Sequence, residues 1–166
     1  MPPRVFQNRE AFDEAVGLIV AAPRGPRRGA LLVLEIDDFD GLADTRGSRY
    51  AEGVAATIVR LVAALLRAED CILGQPEGRA LAFVVGPTGE DATRIAERLC
   101  AAVRLHAFAE TDRGPSHRVT CSIGVAALPD HGAGVASAYG PANAACARIA
   151  VHGKDGAGLA PRAHHT

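Results

Sequence analysis

Four carboxylates crowd the end of one apolar run. In ALLVLEIDDFD, residues 30–40, Glu35, Asp37, Asp38 and Asp40 follow Ala30, Leu31, Leu32, Val33 and Leu34. Side chains two apart on a strand share a face, so Glu35 and Asp37 can point together. Carboxylates close in space bind a hard cation such as Mg²⁺ and hold it against phosphate oxygens. The same aspartates at a strand-to-helix junction would cap the helix and favour its positive end. The spacing alone leaves both readings open.

Two further stretches carry charge where chemistry could occur. QPEGRALAFVV, residues 75–85, opens with residues suited to an exposed turn and closes as an apolar strand. RAED, Arg67 to Asp70, lies just before it. No GxxxxGK phosphate loop and no HExxH pair occurs. His106, His117, His131 and His152 are scattered, and Ser122 has no His–Asp arrangement to activate it, so it reads as structural.

The elements that must position these groups follow from periodicity. Asn8 can cap a helix over Arg9 to Val20, with Phe12, Val16 and Ile19 on one face. The linker AAPRGPRRGA follows. Ala30 to Ile36 reads as a buried strand, and DDFDGLADTRG as a turn into a short helix ending near Gly47. Tyr50 to Leu66 repeats apolar residues at helical spacing, at Val54, Ile58, Leu61, Val62 and Leu65. Strands at Cys71 to Leu73 and Ala80 to Val85 suggest a hairpin. Thr88 with Asp91 resembles a capping box that starts a helix running to about Ala107. His117 to Leu128 reads as a strand, an alanine-rich helix is expected to start at Pro141, and DGAGLA as a last edge strand. PRAHHT, residues 161–166, is expected to be a disordered tail. The order of elements predicts an α/β (α+β) fold. It is a ferredoxin-like palm with a central mixed or antiparallel sheet flanked by helices. The expected domain spans residues 30–160, preceded by a helix and linker over 1–29.

Composition narrows the function classes. A chain of 166 residues with formal net charge −1 offers no bulk attraction for a nucleic-acid polymer or an anionic membrane. No apolar run approaches the roughly 20 residues of a membrane helix. The N-terminus shows no signal-peptide core, so a cytoplasmic location is expected. Cys71, Cys100, Cys121 and Cys146 share no metal-ligand pattern and are expected as small core residues of a reduced protein.

Three blocks together resemble one family. LLVLEIDDFDGLADTRG resembles the first signature of the GGDEF family, the diguanylate cyclases, which typically reads like LLLLDIDHFKxINDTYG. VTCSIGVAALPDHG is similar to its VTxSIGVA strand, and ANAACARIAVHGKDG to its last helix and turn, ADxALYxAKxxGRN. The resemblance covers roughly Ala30 to Leu159. Active members condense two GTP molecules into cyclic di-GMP. Two facing domains each hold one GTP, and Mg²⁺ ions bridge phosphates to carboxylates.

Residue by residue, the resemblance implies losses. The first metal-binding Asp falls on Glu35, which could still ligate Mg²⁺. The guanine-reading Asn falls on Ala43 and the guanine-reading Asp on Glu52. Phe39 and Gly47 fit the pattern. A phosphate-binding Lys falls on Ala150, while Lys154 fills the next basic position. The GGDEF turn itself falls on Glu77, Gly78, Arg79, Ala80 and Leu81, or one residue off. Both acids are missing in either register, and Arg79 stands on or beside a metal-binding position, where it would repel Mg²⁺. Arg79 could pair with Glu35 or extend into solvent. Arg67 and Asp70 fit, within one residue, the family's RxxD inhibitory site for cyclic di-GMP.

The resemblance therefore implies a degenerate GGDEF domain without catalysis. Its expected role is regulatory, through binding of cyclic di-GMP or a guanine nucleotide such as GTP. The expected nucleotide contacts are Phe39, Glu52, Arg79 and Lys154, with Arg67 and Asp70 for cyclic di-GMP. Two alternatives remain open. One is a nucleotide-free scaffold for a homodimer or a protein partner. The other is a residual cyclase whose Glu35 alone holds Mg²⁺.

Overall fold

The computed structural model describes residues 1–22, 28–111, 113–132 and 134–162. Residues 23–27 of the expected linker and 163–166 of the expected tail lie outside the described residues.

Strand β2 (Gly29–Ile36) forms the middle of a six-stranded sheet. It pairs antiparallel with β4 (Arg79–Val85) on one side and with β5 (Cys121–Leu128) on the other. β3 (Cys71–Gln75) pairs antiparallel with β4, giving the expected hairpin. Two short parallel strands close the edges, β1 (Arg4–Phe6) on β3 and β6 (Gly156–Leu159) on β5. The spatial order is β1-β3-β4-β2-β5-β6. The inner strands β3-β4-β2-β5 have the ferredoxin-like arrangement that the order of elements predicts.

β2 reads as an unbroken apolar run because both of its faces are buried. Ala30, Leu32, Leu34 and Ile36 face a core closed by α3 (Ser48–Leu65) and α4 (Gly89–Leu105). Leu31 and Val33 face a second core closed by α1 (Arg9–Val20) and α5 (Val135–His152). Residues 1–29 thus contribute β1 and the Phe12–Val16–Val20 stripe of α1 to the same sheet and core. The short α2 (Phe39–Arg46) buries no residue fully and packs mainly on α3, leaving the acidic end of β2 accessible.

Several expected details differ. Thr88 does occupy the N-cap of α4, but its side chain makes no cap hydrogen bond, so the capping box is not formed. α5 begins at Val135 rather than Pro141, which lies within it. Burial of Val135 and Ala138 outweighs the one amide bond that proline withholds. β5 starts at Cys121. His117 reaches only an isolated bridge with Phe108. α5 sits so close to β5 that a Cβ on Gly124 would fall 1.9 Å from the Ala142 carbonyl oxygen, which explains the glycine of the SIGVA strand.

Candidate functional site

The acidic end of β2 lies between two partners. On one side Ile36 N donates to Gly78 O at the hairpin turn. On the other, Asp37 N donates to Thr120 O beside β5 (both 2.9 Å). Glu35 faces Arg79 directly across β4 and Ser122 directly across β5. Side chains opposite one another in an antiparallel pair point to the same face, so all three share the face covered by α5.

The carboxylates divide by role. Asp37 accepts from Thr120 Oγ1 at 2.7 Å, from Ser122 Oγ at 2.6 Å and from Asp155 N at 2.9 Å. It therefore latches β2 to β5 and to the turn between α5 and β6, and Ser122 is structural as expected. Asp38 occupies the N-cap of α2 with φ 54° and makes no side-chain cap bond. Asp40 lies in the first turn of α2, where the helix dipole favours a negative charge.

Arg79 does not pair with Glu35. Its Nη2 donates to Oδ1 of Asn143 on α5, and among the described residues no carboxylate lies within 4.0 Å of its guanidinium. Both Glu35 and Arg79 still act on the buried Cys146 of α5. Burial first, then the Glu35 charge, push that thiol up to about 12, while Arg79 pulls it down.

The turn that carries Arg79 has a backbone suited to glycine. Glu77 and Gly78 have φ of 64° and 72°. Gly78 is also hemmed in, because a Cβ there would lie 2.6 Å from the Phe39 ring. Phe39, Ala43, Glu52, Glu77, Gly78 and Arg79 line one cavity of about 620 Å³ between α2, α3 and the hairpin. Ala43 and Glu52, which the resemblance aligns with guanine-reading positions, are thus brought to one wall. Ala80 and Leu81 instead point into the two cores. Lys154, with φ 59°, lines a neighbouring cavity of about 360 Å³ with Asp37, Asp38 and Arg118.

This donor set does not fit Mg²⁺. Glu35 is left as the carboxylate facing the position, Asp37 is spent on three donors, and the guanidinium of Arg79 cannot ligate a cation. Among the described residues no group of three or more His, Cys, Asp or Glu side chains is placed to hold a metal ion.

Arg67 and Asp70 lie apart from this cavity. Asp70 is 2% exposed, and its oxygens accept from Arg67 N at 2.8 Å and Val85 N at 2.9 Å. Arg67 donates to the Val85 carbonyl and pairs with Glu69 at 3.0 Å and with Asp70 at 3.8 Å, its side chain 57% exposed. The two residues line a groove of about 360 Å³ with Arg98. Sequence reasoning missed Arg98 and Asn143. Arg98 gave no signal on the amphipathic α4. Asn143 stands where the last family motif carries Asp.

A profile described as "Diguanylate cyclase, GGDEF domain" matches residues 5–155. This chain is a GGDEF domain. The "Probable diguanylate cyclase DgcE" of Escherichia coli is 24% identical over 141 residues, covering 84% of this chain and 12% of that protein. The chain thus spans about an eighth of the length of that relative. Among solved structures, the GGDEF domain of YfiN (TpbB) from Pseudomonas aeruginosa matches with TM-score 0.84 at 21% identity. That match covers 94% of this chain and 97% of the other. The GGDEF domain of DgcB from Caulobacter crescentus, solved in complex with c-di-GMP, matches with TM-score 0.81 at 20% identity, covering 92% and 90%. No helix among the described residues is long and apolar enough to cross a membrane.

Proposed function

We propose that this GGDEF domain does not condense GTP and serves cyclic di-GMP signalling as a regulatory module that binds a guanine nucleotide in the Phe39–Arg79 cavity. The observation that carries the reading is Arg79 directly opposite Glu35 in a domain whose cavity is retained. Nucleotidyl transfer needs a charge-neutralised phosphate held in line with its nucleophile. A guanidinium in the metal's place and one remaining carboxylate remove the means to hold two cations there. Glu52 keeps an acceptor for the donor edge of guanine, while Ala43 offers no hydrogen bond.

A second reading places cyclic di-GMP in the groove of Arg67 and Arg98. Both arginines line it, and a guanidinium can donate to the O6/N7 edge of guanine. Asp70 would contribute there by holding the loop, since both of its oxygens are occupied by backbone amides.

Isothermal titration with GTP and with cyclic di-GMP separates the sites. GTP binding that Glu52→Ala weakens supports the first reading. Cyclic di-GMP binding that Arg67→Ala abolishes supports the second. Absence of heat with either ligand at tens of micromolar protein overturns both and leaves a nucleotide-free scaffold.

A further inference from the structure

Directly opposite Glu35, on or beside a position where the GGDEF resemblance implies a metal-binding acid, this chain carries a cation of its own, Arg79. We infer that Arg79 takes over the charge role of the metal, so that this domain binds a nucleotide phosphate without a divalent ion. The inference rests on the nucleotide-binding reading above and adds its independence of metal.

Three observations lead to it. The guanidinium is at the register position opposite Glu35, on the same face. Its recorded partner is the neutral Asn143 amide oxygen, and no carboxylate lies within 4.0 Å among the described residues. Its charge is therefore not cancelled by direct pairing, although a glutamate is its cross-strand neighbour. A guanidinium has five N–H donors in a planar fork, and the bond to Asn143 uses one. Arg79 lines the end of the 620 Å³ cavity with Phe39 and Gly78, while its guanidinium turns toward α5, so a nucleotide seated there would meet it by carrying its phosphates past the hairpin turn.

The carboxylates around the site are partly spoken for. Asp37 is satisfied by Thr120, Ser122 and the Asp155 amide. Asp38 and Asp40 lie at the N-terminal end of α2, whose dipole offsets their charge. Lys154 and Arg118 line the adjoining cavity together with Asp37 and Asp38, and Asp40, Glu52 and Glu77 line the nucleotide cavity itself. Asn143 orients the fork from α5, so Arg79 needs little ordering when a ligand arrives. Asn143 is a positioning residue in this arrangement.

The test is titration of GTP into the wild-type chain in excess Mg²⁺ and again in excess EDTA. The expected result is the same affinity within about twofold in both buffers. Arg79→Ala is expected to weaken binding by roughly tenfold or more in both, the effect of losing a charge-assisted hydrogen bond. Arg79→Glu restores a carboxylate beside Glu35 and is expected to bind only in Mg²⁺. Asn143→Ala, which leaves the hairpin intact, is expected to weaken binding less than Arg79→Ala. Melting curves check that each variant is folded. Wild-type binding that needs Mg²⁺, or Arg79→Ala binding as tightly as wild type, overturns the inference while the nucleotide reading stands. No binding in either buffer removes both.

Discussion

Glu35 and Arg79 are direct cross-strand neighbours in β2 and β4, yet the guanidinium is bonded to Asn143 of α5 and not to the carboxylate. Opposite charges in such a pair stabilise a sheet by only about 0.2–1 kcal/mol. A hydrogen bond to an orienting side chain can compete with that. The consequence is local. The ends of β2 and β4 present an acid and a base side by side.

Asp70 and Arg67, although their side chains approach to 3.8 Å, should differ in a stability measurement. Asp70 is buried and accepts from two backbone amides, so Asp70→Ala leaves both donors without their partner. The expected loss is about 2–4 kcal/mol by urea unfolding. Arg67→Ala removes a largely exposed side chain and should cost less than about 1 kcal/mol. Equal losses would mean that Arg67, too, holds the fold.

The hairpin turn offers a gain. Glu77 adopts a left-handed backbone at φ 64°, which costs a side-chain-bearing residue about 1 kcal/mol or more. Glu77→Gly relieves this at some entropic cost in the unfolded chain. It should stabilise the domain by about 0.5–1 kcal/mol. Thermal unfolding at matched conditions reads the change, and a lower midpoint would show that the Glu77 side chain contributes contacts of its own.

His117 should make the fold sensitive to mild acid. Burial, followed by the charge of Arg46, lowers its proton affinity below the ordinary value of 6.5, with Glu110 and the Arg118 backbone opposing. Tyr50, hydrogen-bonded to its Nε2, packs beside it. The unfolded chain then binds the proton more readily than the folded one, so stability rises with pH through this window. Above about pH 6.5 the penalty is absent, and it grows as pH falls below that value. Urea midpoints measured from about pH 7.5 to about pH 5.5 should fall more steeply for wild type than for His117→Gln. Identical slopes would remove His117 as the cause.

Much of this fold was legible because its core obeys simple periodicities. β2 is buried on both faces and reads as a continuous apolar run, while Val54, Ile58 and Val62 mark the inner stripe of α3. Arg4–Phe6 escaped notice because three residues carry no period, and its pairing with β3 is set 67 positions away. Pro141 misled because proline is commonest at a helix start, whereas here packing on both sides of it extends the helix. The positions of Phe39, Ala43, Glu52 and Arg79 were readable from the family blocks, and the cavity gathers them. Their partners were not. The bonds of Arg79 to Asn143 and of Asp37 to Thr120 and Ser122 join residues 64 to 85 positions apart. No local pattern reports where a long side chain will find its acceptor.

The proposal that Arg79 opposite Glu35 has ended catalysis meets its most direct test in a turnover assay. The purified chain is incubated with GTP and Mg²⁺, and in parallel with GTP and Mn²⁺, and the mixture is resolved by chromatography. The account predicts neither cyclic di-GMP nor the linear intermediate pppGpG at any time point. Either product, formed by the wild-type chain and lost in Glu35→Ala, would contradict it.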